Sequence, residues 1–182
     1  MVDIDLMILF NGFIRNYINL GLNKNSQNAD IIRQENKYFV TIGKLLGFNV
    51  IHKVDFKEII WKEYRNNIED KSIIKINIFR ESDLTKDLLA LHNLLEIIKK
   101  NPDVSYIQIL ETSSKNRIEF LNNIIKTSNL SFNSEILIIY INKDILKGKT
   151  YYYAYLFKNR EIIKDKIGIT ISDLNGNLKG DF

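Results

Sequence analysis

From Lys71 to Lys149 the apolar positions switch repeatedly between the spacing of a strand and the spacing of a helix. Ser72–Phe79 (SIIKINIF) is a short run rich in β-branched residues and reads as a buried strand. DLTKDLLALHNLLEIIKK then places Leu84, Leu88, Leu91, Leu95 and Ile98 at steps of four and three, the stripe of an amphipathic helix. YIQIL is a second strand, NRIEFLNNIIK with Ile118, Leu121 and Ile125 a second helix, and EILIIYIN a third strand. Strands and helices alternating at this tempo predict an α/β layer with crossover helices.

The flanks add helices before this unit and strands after it. Leu6, Phe10, Phe13, Tyr17 and Leu20 share one stripe, predicting a helix that ends near Gly21. Asn23–Asp30 is a polar loop, and a second helix is expected from about Asp30 to Leu46, with Gly47 at its C-terminal cap. FNVIHKVDF is a first strand, and in EIIWKEYRNNIED the residues Ile59, Ile60 and Trp61 fit a helical turn or an edge strand, with a short helix as the expectation. Beyond Asn142, TYYYAYLF places Tyr151, Tyr153, Tyr155 and Phe157 on one strand face and Tyr152, Ala154 and Leu156 on the other. A turn at Asn159–Arg160, the run EIIKDKIGITI and the Asn175–Gly176 pair complete a β-meander. The expected fold is α/β, a mixed sheet with crossover helices, preceded by N-terminal helices. Residues 1–149 make the core domain, and residues 150–182 a meander packed on it.

At 182 residues, 45% hydrophobic and 26% charged, the chain has the composition of one soluble globular domain. It has no cysteine, which excludes disulfides, thiol catalysis and cysteine-type zinc sites, and its two histidines are too few for a histidine-rich metal centre. No apolar run reaches the length of a membrane span, and Asp3 and Asp5 stand where a signal peptide would be basic. The expectation is an intracellular protein without a membrane partner: cytoplasmic, or in the nucleus or a viral factory for a eukaryotic or viral source. No Gly-rich turn joins a strand to a helix, so a Rossmann or Walker phosphate loop and its nucleotide cofactor are excluded. Ser82, Ser113 and Ser114 stand at helix starts, where capping explains them.

Candidate chemistry centres on carboxylates. Glu35 lies between Ile31, Tyr38, Ile42 and Leu45 on one helical face, an acid within an apolar stripe. Asp55 ends the first strand, Glu81 follows the next, and Lys86 begins the helix after it. A nuclease of the PD-(D/E)XK kind needs two or three such carboxylates around Mg²⁺ or Mn²⁺, plus a lysine. Glu35, Asp55 and Glu81 would be the metal ligands and Lys86 the lysine. The strand that should offer acid-x-lysine instead reads Lys75-Ile76-Asn77, without the acid. The expectation is therefore no catalytic residue, no metal and no cofactor, with the metal-dependent nuclease, including the viral cap-snatching type, as the alternative.

The segment from Ile31 to Lys149 resembles the jaw domain of the fifth common subunit of eukaryotic and viral RNA polymerases. The resemblance is carried by SFNSEILIIYINKDILKGK, NKYFVTIGKLLGFNV and IIKKNPDVSYIQIL. It implies a restriction-endonuclease-like core without an active site, working among protein partners in a transcription assembly. The family's proline- and arginine-bearing assembly motif has no counterpart in Thr150–Phe182.

The net charge of +4 is unevenly placed. Lys143, Lys147, Lys149, Lys158, Arg160, Lys164 and Lys166 are opposed within that stretch only by Asp144, Glu161 and Asp165, a local excess equal to that of the whole chain. Those seven residues are the expected contacts for weak nucleic-acid binding. The sequence thus predicts a non-catalytic subunit that faces nucleic acid or binds protein partners. A small interaction or immunity protein is a further alternative.

Overall fold

A computed structural model of the chain describes residues 4–54, 57–64, 72–144 and 146–182. Helix α1 (Leu6–Arg15) and a 3-10 turn (Tyr17–Leu20) lead to helix α2 (Asn28–Leu45). Strands β1 (Asn49–Lys53), β2 (Glu58–Tyr64) and β3 (Ser72–Glu81) follow, then helix α3 (Asp87–Lys100), β4 (Ser105–Glu111), helix α4 (Lys115–Thr127) and β5 (Glu135–Asp144). The chain closes with β6 (Lys149–Lys158), β7 (Glu161–Ser172) and β8 (Leu178–Asp181). The fold is α/β, and among the described residues the eight strands form one mixed sheet whose spatial order is the order of the chain. β1, β2 and β3 are antiparallel, β3, β4 and β5 are parallel through the crossovers α3 and α4, and β5 to β8 are antiparallel again.

Both faces of the sheet are covered, which is why its centre reads as continuous apolar runs rather than alternation. In β5, Leu137, Ile139 and Ile141 join a core with α1 and α2, while Ile136, Ile138 and Tyr140 join a second core under α3 and α4. β6 does the same, giving Tyr152, Ala154 and Leu156 to the first core and Tyr153 and Phe157 to the second. Residues 150–182 therefore continue the sheet of the preceding strands. Helix α2 approaches β2 so closely that a Cβ on Gly43 would lie 2.6 Å from the Trp61 ring, and the backbone of Ile14 in α1 leaves no room for a Cβ on Gly180 in β8.

Three expectations are corrected. Glu58–Tyr64 is a strand, not a helix: pairing with both β1 and β3 settles its local ambiguity, and an extra residue in β3, Lys75, shifts the register after Trp61. The first α-helix stops at Arg15, and the 3-10 turn after it ends at Gly21 with φ 65°. Leu84 falls in a second 3-10 turn (Leu84–Lys86) ahead of α3, where Asp83 caps the Thr85 N–H, and is exposed. The turn at Asn159–Arg160 is as expected, with both residues at positive φ as a type I′ hairpin requires. No helix among the described residues is long and apolar enough to cross a membrane.

Candidate functional site

The carboxyl ends of the parallel strands β3, β4 and β5 meet beneath α2, the place where open α/β sheets gather functional groups. β3 delivers Arg80, β4 ends in Glu111, and β5 supplies Lys143. Helix α2 adds Glu35 from its most buried face, which it shares with Phe39 and Gly43, while Leu45 lies outside that face and is exposed. Tyr17 enters from the 3-10 turn after α1, and Tyr152 from β6.

These side chains form one chain of contacts. Arg80 Nε lies 3.4 Å from Glu35 Oε2, and Arg80 Nη2 lies 3.1 Å from Glu111 Oε1. Arg80 Nη1 donates to the carbonyl of Glu81 at 2.8 Å. Lys143 Nζ completes the line, 3.1 Å from Glu111 Oε2 and 2.9 Å from Asn28 Oδ1. Tyr17 donates to Glu35 Oε1 at 3.1 Å, and the Tyr152 hydroxyl lies 3.2 Å from the same oxygen and 2.9 Å from that of Tyr17. Glu35 is 1% exposed and Arg80 4%. Burial raises both phenols above their ordinary range and the Glu35 charge raises them further, so Tyr17 and Tyr152 remain protonated donors.

The two carboxylates and two cations neutralise one another, which buried charge requires. The cavity among them holds about 30 Å³, room for roughly one water molecule and too little for a substrate. Glu35 Oε2 and Arg80 Nε face each other as an ion pair without hydrogen-bond geometry. At the level where α2 meets β3, the two residues ahead of Arg80 are Ile78 and Phe79, so an apolar side chain stands where an acid-x-base pattern would have its acid.

Of the alternative metal ligands among the described residues, Glu35 enters this site and Glu81 does not. Asp55 lies outside the described residues. Glu81 turns to Lys57 Nζ at 2.9 Å and to the N–H groups of Ser82 and Asp83. Burial alone would raise its carboxyl pKa, but those donors outweigh it and hold the group below its ordinary value. Lys86 pairs with Asp83 at 3.4 Å. Among the described residues no three His, Cys, Asp or Glu side chains gather closely enough to hold a metal ion.

The seven basic residues are spread along the sheet, with Lys164 and Lys166 within β7 and the other five at the two ends of β6. Lys143, Lys147 and Lys149 lie where β5 passes to β6, and Lys158 and Arg160 at the other end of β6, roughly 30 Å away at the rise of a strand. Lys147 pairs with Asp144, Lys164 with Asp5, and Arg160 donates to the Ser128 carbonyl. Lys166 lies over the Phe182 ring, 3.8 Å from its centroid. Sequence reasoning missed Arg80, Glu111, Tyr17 and Tyr152. The available signal was a charged residue at the carboxyl end of each buried strand, in SIIKINIFR and YIQILE.

No family model matches this chain, and no curated protein matches it. Among solved structures, the central domain of yeast acetyl-CoA carboxylase is similar over 83% of this chain at 13% identity, with a TM-score of 0.44. This chain spans 26% of that one.

Proposed function

We propose that this chain is a non-catalytic domain that acts by binding a protein partner, as a subunit of a larger assembly. One observation carries the reading: each carboxylate oxygen of Glu35 and Glu111 faces a cation or a phenol of the chain itself. A divalent cation needs several such oxygens at once, and here Arg80 fills the position between the acids as an internal cation. The scattered and largely engaged basic residues favour protein over nucleic acid as the partner. A polymerase subunit is the specific form of this reading that the resemblance to the jaw domain implies.

The test is a cleavage assay on purified protein, with labelled single- and double-stranded DNA and RNA in Mg²⁺ or Mn²⁺. No cleavage is expected, and the divalent ions should leave thermal stability nearly unchanged, because only bound ions stabilise. Metal-dependent cleavage lost in Glu35→Ala would sink the proposal and restore the nuclease reading. Salt-sensitive binding of any oligonucleotide, weakened by changing Lys158, Arg160 and Lys164 together to Glu, would replace the protein partner with nucleic acid.

A further inference from the structure

A second recess lies on the opposite face of the sheet, between α3 and the side of β2 and β3, with a volume of about 530 Å³. That is the size of a small-molecule site. Phe79, Ala90, Leu94 and Ile97 give it an apolar wall, and Asn93 and charged residues complete the lining. Gln108 also lines it, although only 2% exposed. Phe79 and Gln108 are partners in the parallel register of β3 and β4, so ring and carboxamide project side by side from one face. The Gln108 amide reaches only the neighbouring carbonyl of Ile109, at a long 3.4 Å. Two residues before Phe79, Asn77 gives its amide N–H to Glu58 and has a buried carbonyl oxygen without a partner.

Charge at the rim is mostly settled within the chain. Lys57 is bound to Glu81, Glu58 to Lys53, and Arg80 to Glu35 and Glu111. Glu96 and Lys100 remain, opposite in sign and one turn apart on α3. An occupant would therefore meet no net field demanding a charged group. It would meet an apolar slot closed on one side by a carboxamide that presents a donor and an acceptor together.

We propose that this recess binds an uncharged flat heterocycle with an adjacent N–H donor and ring acceptor on one edge, the chemistry of a nucleobase. The ring lies against Phe79 and the apolar side of α3, and its edge pairs with the Gln108 carboxamide. A purely hydrocarbon occupant would leave that carboxamide with only its long contact to the Ile109 carbonyl, which is less favourable. With no phosphate loop and no gathered cations, the site takes a base or nucleoside rather than a nucleotide. This inference goes beyond the interaction reading and does not depend on it.

The test is an amide NMR titration of the full chain with adenosine, guanosine, cytidine and uridine, and with toluene as the hydrocarbon probe. At least one nucleoside should shift the amides of β3, β4 and α3 around the recess, and toluene should bind more weakly. Gln108→Leu should weaken that nucleoside about tenfold or more, the discrimination of a good bidentate pair. Ala90→Trp, filling the slot from α3, should abolish binding, and it carries the test should Gln108→Leu fail to fold. A trinucleotide of the preferred base should bind no more tightly than the nucleoside; tighter binding would overturn the assignment to a free base or nucleoside. Absence of recess shifts at millimolar nucleoside, toluene binding as well as nucleosides, or binding unchanged by Ala90→Trp would each overturn the proposal.

Discussion

The guanidinium of Arg80 lies 3.1 Å from the carboxylate of Glu111, and both side chains are almost wholly withdrawn from solvent. A pair held this way contributes less through its own attraction than through what its loss would expose. Removing one partner strands the other charge in the interior, whereas replacing the whole set by apolar groups can be neutral or stabilising.

Arg80→Met alone should therefore destabilise the fold by about 3–5 kcal/mol. Adding Glu35→Gln and Glu111→Gln should recover a substantial part of that loss. Urea unfolding of the single and triple variants measures both. A single variant as stable as the parent would show that the charges are not buried together.

Tyr17 and Tyr152 both supply hydroxyls to one oxygen of Glu35. Tyr17→Phe should cost roughly 1.5–3 kcal/mol, the worth of a hydrogen bond to a charged group. Tyr17→Phe combined with Tyr152→Phe should depart from additivity, because the two hydroxyls also bond each other. A double-mutant cycle by chemical denaturation reads the coupling.

The same phenols predict alkaline sensitivity. Their folded-state pKa values are raised above the ordinary value of 10, by burial first and the Glu35 charge next. A raised value contributes stability that is fully present below the unfolded pKa and lost as pH climbs beyond it. Stability measured from about pH 8 to pH 11 should fall above about pH 10. The fall should be shallower in the double phenylalanine variant.

Glu81 predicts the opposite edge of the pH range. Its folded-state pKa lies below the ordinary 4.5: burial works against this, but Lys57 and the N–H groups of Asp83 and Ser82 outweigh it. That stability is present above the unfolded value and disappears as pH falls through the folded one. Glu81→Gln should be less stable than the parent at neutral pH, and the two should converge in acid. A difference that persists unchanged into acid would show that the carboxylate charge is not its source.

Leu91 and Leu121 are both fully buried under the sheet, in α3 and α4. Leu91→Ala and Leu121→Ala should each cost about 2–5 kcal/mol. Losses under about half a kilocalorie, the range of surface substitutions, would contradict their packing.

The strands β3, β4 and β5 were legible because each is a run of large apolar residues buried on both faces, separated by helices of clear period. β2 was ambiguous, since Ile59, Ile60 and Trp61 are consecutive and all buried, so no polar position among them marks the period of a strand. Glu35 was legible as an acid amid apolar neighbours. Its partners were not: Arg80 and Glu111 are single charges at strand ends, 31 residues apart, united only by the parallel register of β3 and β4. Lys143 was visible only as one lysine of a basic stretch, because its partner Glu111 lies on another strand and no neighbour in the chain signals the pairing.

Because each strand pairs with its neighbours in the chain, the sheet can be extended strand by strand as synthesis proceeds, with each loop closed over a short separation. Helix α1 is the exception. It precedes every strand in the chain, yet Ile14 packs against Gly168 and Gly180, and Asp5 reaches Lys164, so its seat exists only once the last strands are in place. Until then Leu6, Phe10, Phe13 and Ile14 lack their full cover, so α1 stays an exposed apolar stripe for as long as the last strands are unformed.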